Sequence, residues 1–594
     1  MKSSEVRAYI FIKEQLQELG WNVSNPLRNS AGQVYTQHEC LKDELIKKYL
    51  LRDVPENVIR VRERKFMIVE SKAHYSQIDL AEKEVKEYAD KMNSDEVLAP
   101  IATALAGNPE ETYVVKNFYF IDNTWKEIVI NHKITGGLLS PDIAQKLVDK
   151  NTYELQDIQI SDEILYTKAT KINEILHTGS INKNYRARVI AALLLAMADD
   201  VRINIDNEAF SLINEINSKA EKILHQHGKQ AFAKSIQIST PPTPDNHIKF
   251  RKALIDTIQE LESLNIRSAM NSGADILGRF YEIFLKYGNG AKEIGIVLTP
   301  RHITKFAAES LRVNKNDKVF DPACGTGGFL VASYDLVKKN TNENELDSFK
   351  QQGIYGIEQE PEVVALSLVN MIFRGDGKNN IVEGNCFTTS YFKDLKVTKV
   401  LMNPPFALKK EDEKEYKFID FALDKLETGG LLFAIVPSPI MFRGKNYKDW
   451  RVNLLRNHSV KAVIKLPEDL FYPVGVHTSA LILKAHIPHK QDSKVLWGIL
   501  KDGYLKRKGV MFFSEKADAN ISKFKQLIHN ILDGDDIEEK LLEWAYKPIE
   551  YNSYIECAPE GYIEDEIHSN DSIVEGMREV LLNAFSANLS NRMI

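Results

Sequence analysis

The chain has 594 residues, of which 43% are hydrophobic, and a formal charge of −6 that does not advertise nucleic-acid binding yet leaves room for a basic cleft. That length exceeds what one hydrophobic core serves, so several domains are expected; the four cysteines, Cys40, Cys324, Cys386 and Cys557, form no CxxC pair and suggest neither a zinc cage nor a disulfide framework. No apolar targeting segment follows Met1 and no apolar run is long enough to span a bilayer, which points to a reducing, cytoplasmic setting and away from membranes.

Residues 5–18 space their apolar side chains as a helix does. The runs NVIRV (57–61) and KFMIVES (65–71) read as strands, IDLAEKEVKEYADKM as a helix and TYVVKNFYFI (112–121) as a further strand, an α/β unit over residues 1–150. Residues 160–288 read as an all-helical domain, with ARVIAALLLAMADD and ADILGRFYEIFLKYG its most apolar helices and PPTPD a break. Over 289–488 short apolar runs alternate with helices, the pattern of a mostly parallel, Rossmann-like sheet covered on both faces. Residues 489–594 turn polar and form a C-terminal appendage and helical tail. The apolar stripes of those amphipathic helices need either their own domain or a partner to cover them.

The segment KVFDPACGTGGFLVASYDLV (318–337) is a short strand, a glycine-rich turn and the opening of a helix. Gly325, Gly327 and Gly328 permit tight turns and close ligand approach, and the helix N-terminus offers unpaired N–H groups to a carboxylate. Asp321, at the strand tip, can hold an ammonium or amide group through a charge-assisted hydrogen bond. The next strand, GIYGIEQ, ends in Glu358, where a carboxylate can accept both ribose hydroxyls of an adenosine. A third strand ends in Asn403-Pro404-Pro405-Phe406. The prolines stiffen the backbone and withhold donors, so the Asn403 side-chain oxygen and the Pro404 carbonyl can both accept from one exocyclic amine. Phe406 offers a flat face to an unstacked base.

DPACGTGGFL, GIE and NPPF, in this order, resemble the amino-methyltransferases that make N6-methyladenine in DNA, most closely the methylation subunits of type I restriction-modification systems. The resemblance runs from about Asp275 to Ala485. It implies S-adenosylmethionine as cofactor, with Leu298, Thr299 and Pro300 in the segment that closes over it and Ala323, Gly325, Thr326, Gly327 and Gly328 in its loop. Asn385 stands where the family usually places an Asp against the cofactor adenine; an Asn still accepts one hydrogen bond and donates another. The implied mechanism is direct transfer without a covalent enzyme intermediate. Asn403 and Pro404 orient the adenine N6 lone pair toward the methyl, with Pro405 and Phe406 completing the site. Cys324 and Cys386 are then buried small hydrophobes.

In the first α/β unit, Glu56 and Glu70 end adjacent strands and can supply hard oxygen ligands to Mg²⁺ together with the Ser71 backbone carbonyl. Lys72 is then placed to position a water, and Glu5 to add an outer contact. This order resembles the PD-(D/E)xK nuclease superfamily found at the N-termini of restriction subunits, with Pro55-Glu56 in place of the usual Asp and Asp53 as a rival ligand. Taken alone, Glu70-Ser71-Lys72 is more often an ordinary ion pair at a strand end. Beside a DNA methyltransferase it is expected to be an endonuclease site, as in one-polypeptide type IIB enzymes, with an inactive domain kept for binding DNA as the alternative.

The roughly 100 C-terminal residues are short for an independent reader of a long bipartite sequence, and no helix-turn-helix or finger is recognisable. The expected partners are therefore double-stranded DNA and a separate DNA specificity subunit in a hetero-oligomer, docked at the C-terminal helices and the central helical region. Lys409, Lys410, Lys445, Lys506, Arg507 and Lys508 are candidates for phosphate contacts along the DNA path.

Overall fold

The computed structural model describes residues 3–107, 113–130, 133–156, 162–199, 201–241, 244–264, 280, 283–284, 298–372, 374, 380–406, 414–468, 470–471, 476–501, 504–507, 510–513, 515–540, 542–552 and 555–563. None of its described helices is long and apolar enough to cross a membrane. The chain divides into two units. One comprises Met1–Leu298, Cys324–Tyr334 and Lys350–Thr389; the other comprises Thr299–Ala323, Asp335–Phe349 and Ser390–Ile594.

In the first unit α1 (Ser3–Glu18) precedes a sheet of six strands paired in chain order: β1 (Val34–Thr36), β2 (Asn57–Arg62), β3 (Lys65–Lys72), β4 (Ile101–Gly107), β5 (Tyr113–Ile121) and β6 (Thr124–Glu127). β2 and β3 form an antiparallel hairpin that turns at Arg64, whose φ is +55°. β3 and β4 are parallel, because α2 (Ile78–Met92) makes a helical crossover between them. Strand alternation sorts β3 into two faces. Met67 and Val69 pack with Phe11, Ile12 and Leu16 of α1, and Phe66 and Ile68 with Ala81, Val85, Ala89 and Met92 of α2. Glu70 continues the second face, which is why a carboxylate at this strand end is only 7% exposed.

Among the described residues, the long helices α3 (Asp162–Thr178), α4 (Lys183–Ala198), α5 (Ala209–Gln226) and α6 (Pro244–Ser263) surround one apolar core. Val189 to Met197 of α4 are buried on every side, as a helix apolar all round must be. Lys168 of α3 is fully buried and pairs with Glu18 at 3.0 Å and Glu260 at 2.7 Å; Lys171 reaches the same two acids, each at 3.0 Å. This quartet ties α1 to α3 and α6. Lys168→Met keeps the aliphatic bulk and removes the charge. Lys171 still pairs with both acids but balances only one of their two charges, so the expected cost is roughly 3–5 kcal/mol, the range for removing one partner of a buried pair, read as a lower urea midpoint. A variant as stable as its parent would mean that the quartet contributes nothing net, as buried ion pairs can.

The chain continues through α7 (Arg301–Ser310), β7 (Val319–Asp321), α8 (Gly328–Lys339), β8 (Ile354–Glu358), α9 (Pro361–Ile372) and β9 (Asn380–Glu383). In the first unit β8 and β9 are parallel, with α9 as their crossover. Ala365, Leu366, Val369 and Ile372 of α9 enter the core formed by α3 to α6. The second unit adds β10 (Val397–Met402), β11 (Leu426–Pro437), β12 (Ser459–Lys465), β13 (Thr478–Lys484), β14 (Lys494–Ile499), α10 (Glu515–Asp533) and β15 (Trp544–Pro548).

The second unit's strands are ordered β7-β10-β11-β13-β12-β14-β15. β7, β10 and β11 are parallel, but β13 is antiparallel to both of its neighbours. Among the described residues, the strand pairings over 289–488 are thus parallel, as the alternation of strands and helices implied, except for those of β13, which make the sheet mixed. Among the described residues of 466–477 no helix separates β12 from β13, and a strand that returns without a crossover returns antiparallel. β14 and β15 extend the same sheet beyond residue 488. α10 buries Ile521, Phe524, Ile528 and Ile531, and Phe524 lies so near β14 that a Cβ on Gly498 would come within 2.4 Å of its ring. This amphipathic stripe is thus covered within its own unit. SIVEGMREVLLNAF and most of ADILGRFYEIFLKYG lie outside the described residues.

Candidate active site

In the second unit Asp321 and Asn403 stand at the carboxyl ends of neighbouring parallel strands, β7 and β10, whose register pairs Val319 with Lys399 and Phe320 with Val400. Ligands of open α/β sheets bind at this edge. Asp321 is 1% exposed, and its Oδ1 accepts from the Ala323 N–H at 3.1 Å. The Asn403 Nδ2 donates to Thr299 Oγ1 at 2.9 Å, whereas its Oδ1 is buried and has no hydrogen-bond partner among the described residues. A buried amide oxygen left unpaired is costly, so its position suits an acceptor kept for a ligand amine. Pro404 is buried, Pro405 exposed and Phe406 half-buried, with the Phe406 ring edge-on to Phe471 at 6.1 Å. Pro300 caps α7, its carbonyl accepting from the Ile303 and Thr304 N–H groups.

In the first unit the half-buried Leu298 packs against the core of α3 to α6. There the glycine loop is held by backbone bonds, from the Cys324 N–H to the Ile357 carbonyl at 2.9 Å and from the Gly327 N–H to the Cys324 carbonyl at 2.8 Å. The Gly325 N–H donates to Glu358 Oε2 at 2.9 Å, while Glu358 Oε1 accepts from the Gln359 and Glu360 N–H groups at 2.8 and 3.0 Å. Oε1 is therefore saturated and Oε2 keeps one lone pair. The carboxylate expected to take both ribose hydroxyls has room for one before a backbone bond must yield. Burial pushes the Glu358 carboxyl above its ordinary pKa, against the pull of these three N–H groups.

Asn385, two residues past β9, donates from Nδ2 to Gln359 Oε1 at 3.1 Å and accepts at Oδ1 from the Phe387 N–H at 2.9 Å. Both halves of its amide are engaged, so an adenine contact needs one of them to let go. Gln359 was not singled out by the residue pattern; its only signal is adjacency to Glu358. Cys324 and Cys386 are buried and in no disulfide. Gly325 has φ +54° and open space where a Cβ would stand, the cradle a ligand needs. Gly327 has φ +80°, and a Cβ there would meet Ser367 Oγ at 2.6 Å. Gly327→Ala is accordingly expected to weaken S-adenosylmethionine binding by roughly tenfold or more, since both backbone conformation and space oppose a methyl. Equilibrium dialysis with labelled cofactor measures this, and unchanged affinity would detach the loop from the cofactor site.

The N-terminal acids lie in the first unit. One step beyond the Asn57–Val69 pair of the β2–β3 register, Glu56 lies across from Glu70. Glu70 Oε2 accepts from the Glu56 N–H at 3.1 Å and Oε1 from Lys72 Nζ at 2.9 Å. Lys72 also pairs with Glu84 of α2 at 2.5 Å. Burial raises the Glu70 pKa in spite of Lys72. Burial opposes the charge of Lys72, but its bonds to Glu84 and Glu70 outweigh this and raise its pKa. Glu84 was not singled out in the sequence, since it flanks the Ala81-Val85-Ala89 stripe among other charged residues.

Asp53, the rival ligand, accepts from the Tyr88 hydroxyl at 3.2 Å and pairs with Lys91 at 2.5 Å, a bond that lowers its pKa. The Glu56 carboxylate accepts from Gln37 Nε2 at 3.3 Å. Among the described residues no three His, Cys, Asp or Glu side chains are grouped so as to hold a metal ion. Mg²⁺ asks for only one or two carboxylates with water completing its shell, and Glu70 with Glu56 meets that minimum. The side chain of Glu5, on α1, lies outside the described residues, as do Lys409, Lys410 and Lys508 and the side chains of Lys506 and Arg507; Lys445 is exposed.

Residues 272–541 match the family model of N-6 DNA Methylase. The type II restriction enzyme and methyltransferase RM.BcgI of Heyndrickxia coagulans is 41% identical over 251 residues, 40% of this chain and 39% of that protein. The type I restriction enzyme EcoEI methylase subunit of Escherichia coli is 27% identical over 264 residues, 41% of this chain and 53% of that protein. The chain thus spans about half or less of the curated relatives it matches. A solved chain from a type I R-M system shares the fold with a TM-score of 0.51 at 18% identity, covering 73% of this chain and 99% of that chain.

Proposed function

We propose that the chain is a restriction-modification subunit that transfers a methyl group from S-adenosylmethionine to adenine N6 in double-stranded DNA, in the cytoplasm. The observation that carries this reading is the buried Asn403 Oδ1, unpartnered among the described residues, at the carboxyl end of β10, next to two prolines that offer only acceptors. An adenine amino group has two N–H donors and a lone pair that must face the methyl. Asn403 Oδ1 and the Pro404 carbonyl take both hydrogens and turn the lone pair outward. When bound, S-adenosylmethionine supplies a methyl group on a positively charged sulfur. Asp321 and Glu358 hold donors of that cofactor, and Phe406 stacks on the extruded base, a contact worth roughly 1–3 kcal/mol. The similarity to type I methylase subunits supports a separate specificity subunit as partner in a hetero-oligomer. The test is to incubate the chain and that partner with labelled cofactor and DNA. Label in N6-methyladenine is expected, and label in cytosine or in none of the bases counts against the reading.

Residues 1–150 are, on this reading, a Mg²⁺-dependent endonuclease domain, followed by a helical domain (160–288), the methyltransferase (289–488, its sheet continued by β14 and β15) and a docking region (489–594). Support comes from the order α1, β2, β3, α2, β4, from Glu56 facing Glu70 across the hairpin, and from a relative named as both restriction enzyme and methyltransferase. Mg²⁺, when bound, would offset phosphate charge and activate a water. A second reading rests on Lys72 being shared between Glu70 and Glu84: a closed ion-pair network suits a domain that only binds DNA.

A further inference from the structure

From Val363 to Ile372 every residue of α9 is buried. One of its faces enters the core of α3 to α6, and Glu362 at its start pairs with Arg188 of α4. Its other face reaches the glycine loop. We propose that Asn370, backed by Arg374, is the positioning residue that sets this loop for S-adenosylmethionine, an inference that rests on the methyltransferase reading above.

The Asn370 Nδ2 donates to the Thr326 carbonyl at 3.0 Å. Arg374 Nη1 donates to Asn370 Oδ1 and, at 3.0 Å, to the Asn370 carbonyl. A guanidinium has no acceptor, so the Asn370 oxygen must face Arg374 and its NH₂ must face the loop. The Thr326 carbonyl belongs to the peptide between Thr326 and Gly327, and the Gly327 N–H of that peptide bonds the Cys324 carbonyl. Both polar ends of one peptide plane are therefore pinned, in a turn whose two flanking glycines have positive φ. Glycine opens alternative orientations of such a plane. Each alternative would reverse which polar group the loop presents at the start of α8. Asn370 selects one of them, and Ser367, one turn earlier on α9, closes the space beneath Gly327. The loop's geometry is in this way referenced to a helix seated in the helical bundle.

The test uses the full chain and two variants. Asn370→Asp keeps the size and the acceptor for Arg374 but loses the donor; Asn370→Ala loses both. Cofactor affinity is measured by titration calorimetry, melting temperature by scanning calorimetry, and amide exchange of the 323–331 segment in cofactor-free protein by mass spectrometry. Both variants are expected to bind S-adenosylmethionine roughly five- to tenfold more weakly, as the loss of one hydrogen bond gives, and to exchange faster in this segment. Parental affinity in Asn370→Asp overturns the proposal, even if Asn370→Ala melts earlier, because the residue would then be merely structural. Unchanged exchange in both variants overturns it too. If the unmodified chain binds no S-adenosylmethionine, the methyltransferase reading fails, and exchange still decides whether Asn370 orders the loop.

Discussion

Asn403→Ala, assayed with DNA, cofactor and partner at saturation, is expected to lose methyl transfer by about a hundredfold or more, the scale set by misplacing a reacting group by about 1 Å. The alanine removes one of two acceptors for the amino group, so the remaining Pro404 carbonyl holds one hydrogen and the lone pair is free to swing away. Thr299→Val is expected to do less. It removes the group that fixes the Asn403 amide at 2.9 Å but leaves the Oδ1 acceptor in place. Because Thr299 lies in the segment expected to close over the cofactor, cofactor affinity is measured in both variants to separate lost binding from lost transfer. Turnover by Asn403→Ala equal to that of the unmodified protein would remove the target-base site from the end of β10.

Glu70→Gln and Lys72→Ala are expected to stop Mg²⁺-dependent cutting of unmodified DNA, by roughly a hundredfold or more, and to spare methylation. Glutamine keeps the size of Glu70 but cannot carry the charge that a hard cation needs. The pH dependence has a definite sign. Burial raises the Glu70 pKa, so this carboxyl is protonated at a pH where an exposed glutamate is still ionised, and cutting should fail on acidification earlier than an ordinary carboxylate dictates. For stability, an acid whose pKa is raised on folding favours the folded state at low pH, and this contribution is lost as pH rises through the raised value. Glu70→Gln should therefore melt no lower than the parent at neutral pH, which separates lost cutting from lost folding. Equal cutting by both variants would sink the nuclease assignment and leave Glu70, Lys72 and Glu84 as an ion-pair cluster.

Much of the candidate chemistry was legible because it sits at strand ends. An apolar run that stops at an acid or an asparagine marks the place where a strand leaves the core, and Asp321, Glu358, Asn403 and Glu70 all follow such runs. Period-two alternation puts Glu70 on the face of β3 that carries Phe66 and Ile68, a consequence read only once that face was seen packed on α2. Gln359, Ser367, Asn370 and Glu84 were not singled out, because what makes them matter is a neighbour far along the chain: Asn370 meets Thr326 across 44 positions. The antiparallel return of β13 was missed for a related reason, since alternation of strands and helices does not say which connection lacks its helix.

The sequence by itself determined the α/β class, the strand ends that carry acids and amides, and the glycines that a tight loop requires, but not β1, β4 and β6, nor β14 and β15 in the segment read as a helical tail. The features it determined follow from local rules of burial, periodicity and backbone freedom. Only the tertiary structure decided which of those polar groups are already committed: Glu358 Oε1 to two N–H groups, Asn385 to Gln359 and Phe387, Glu56 to Gln37, Lys72 to two acids, while Asn403 Oδ1 has no partner among the described residues. A hydrogen bond depends on direction over about 3 Å, and that geometry is set by residues brought together from distant parts of the chain.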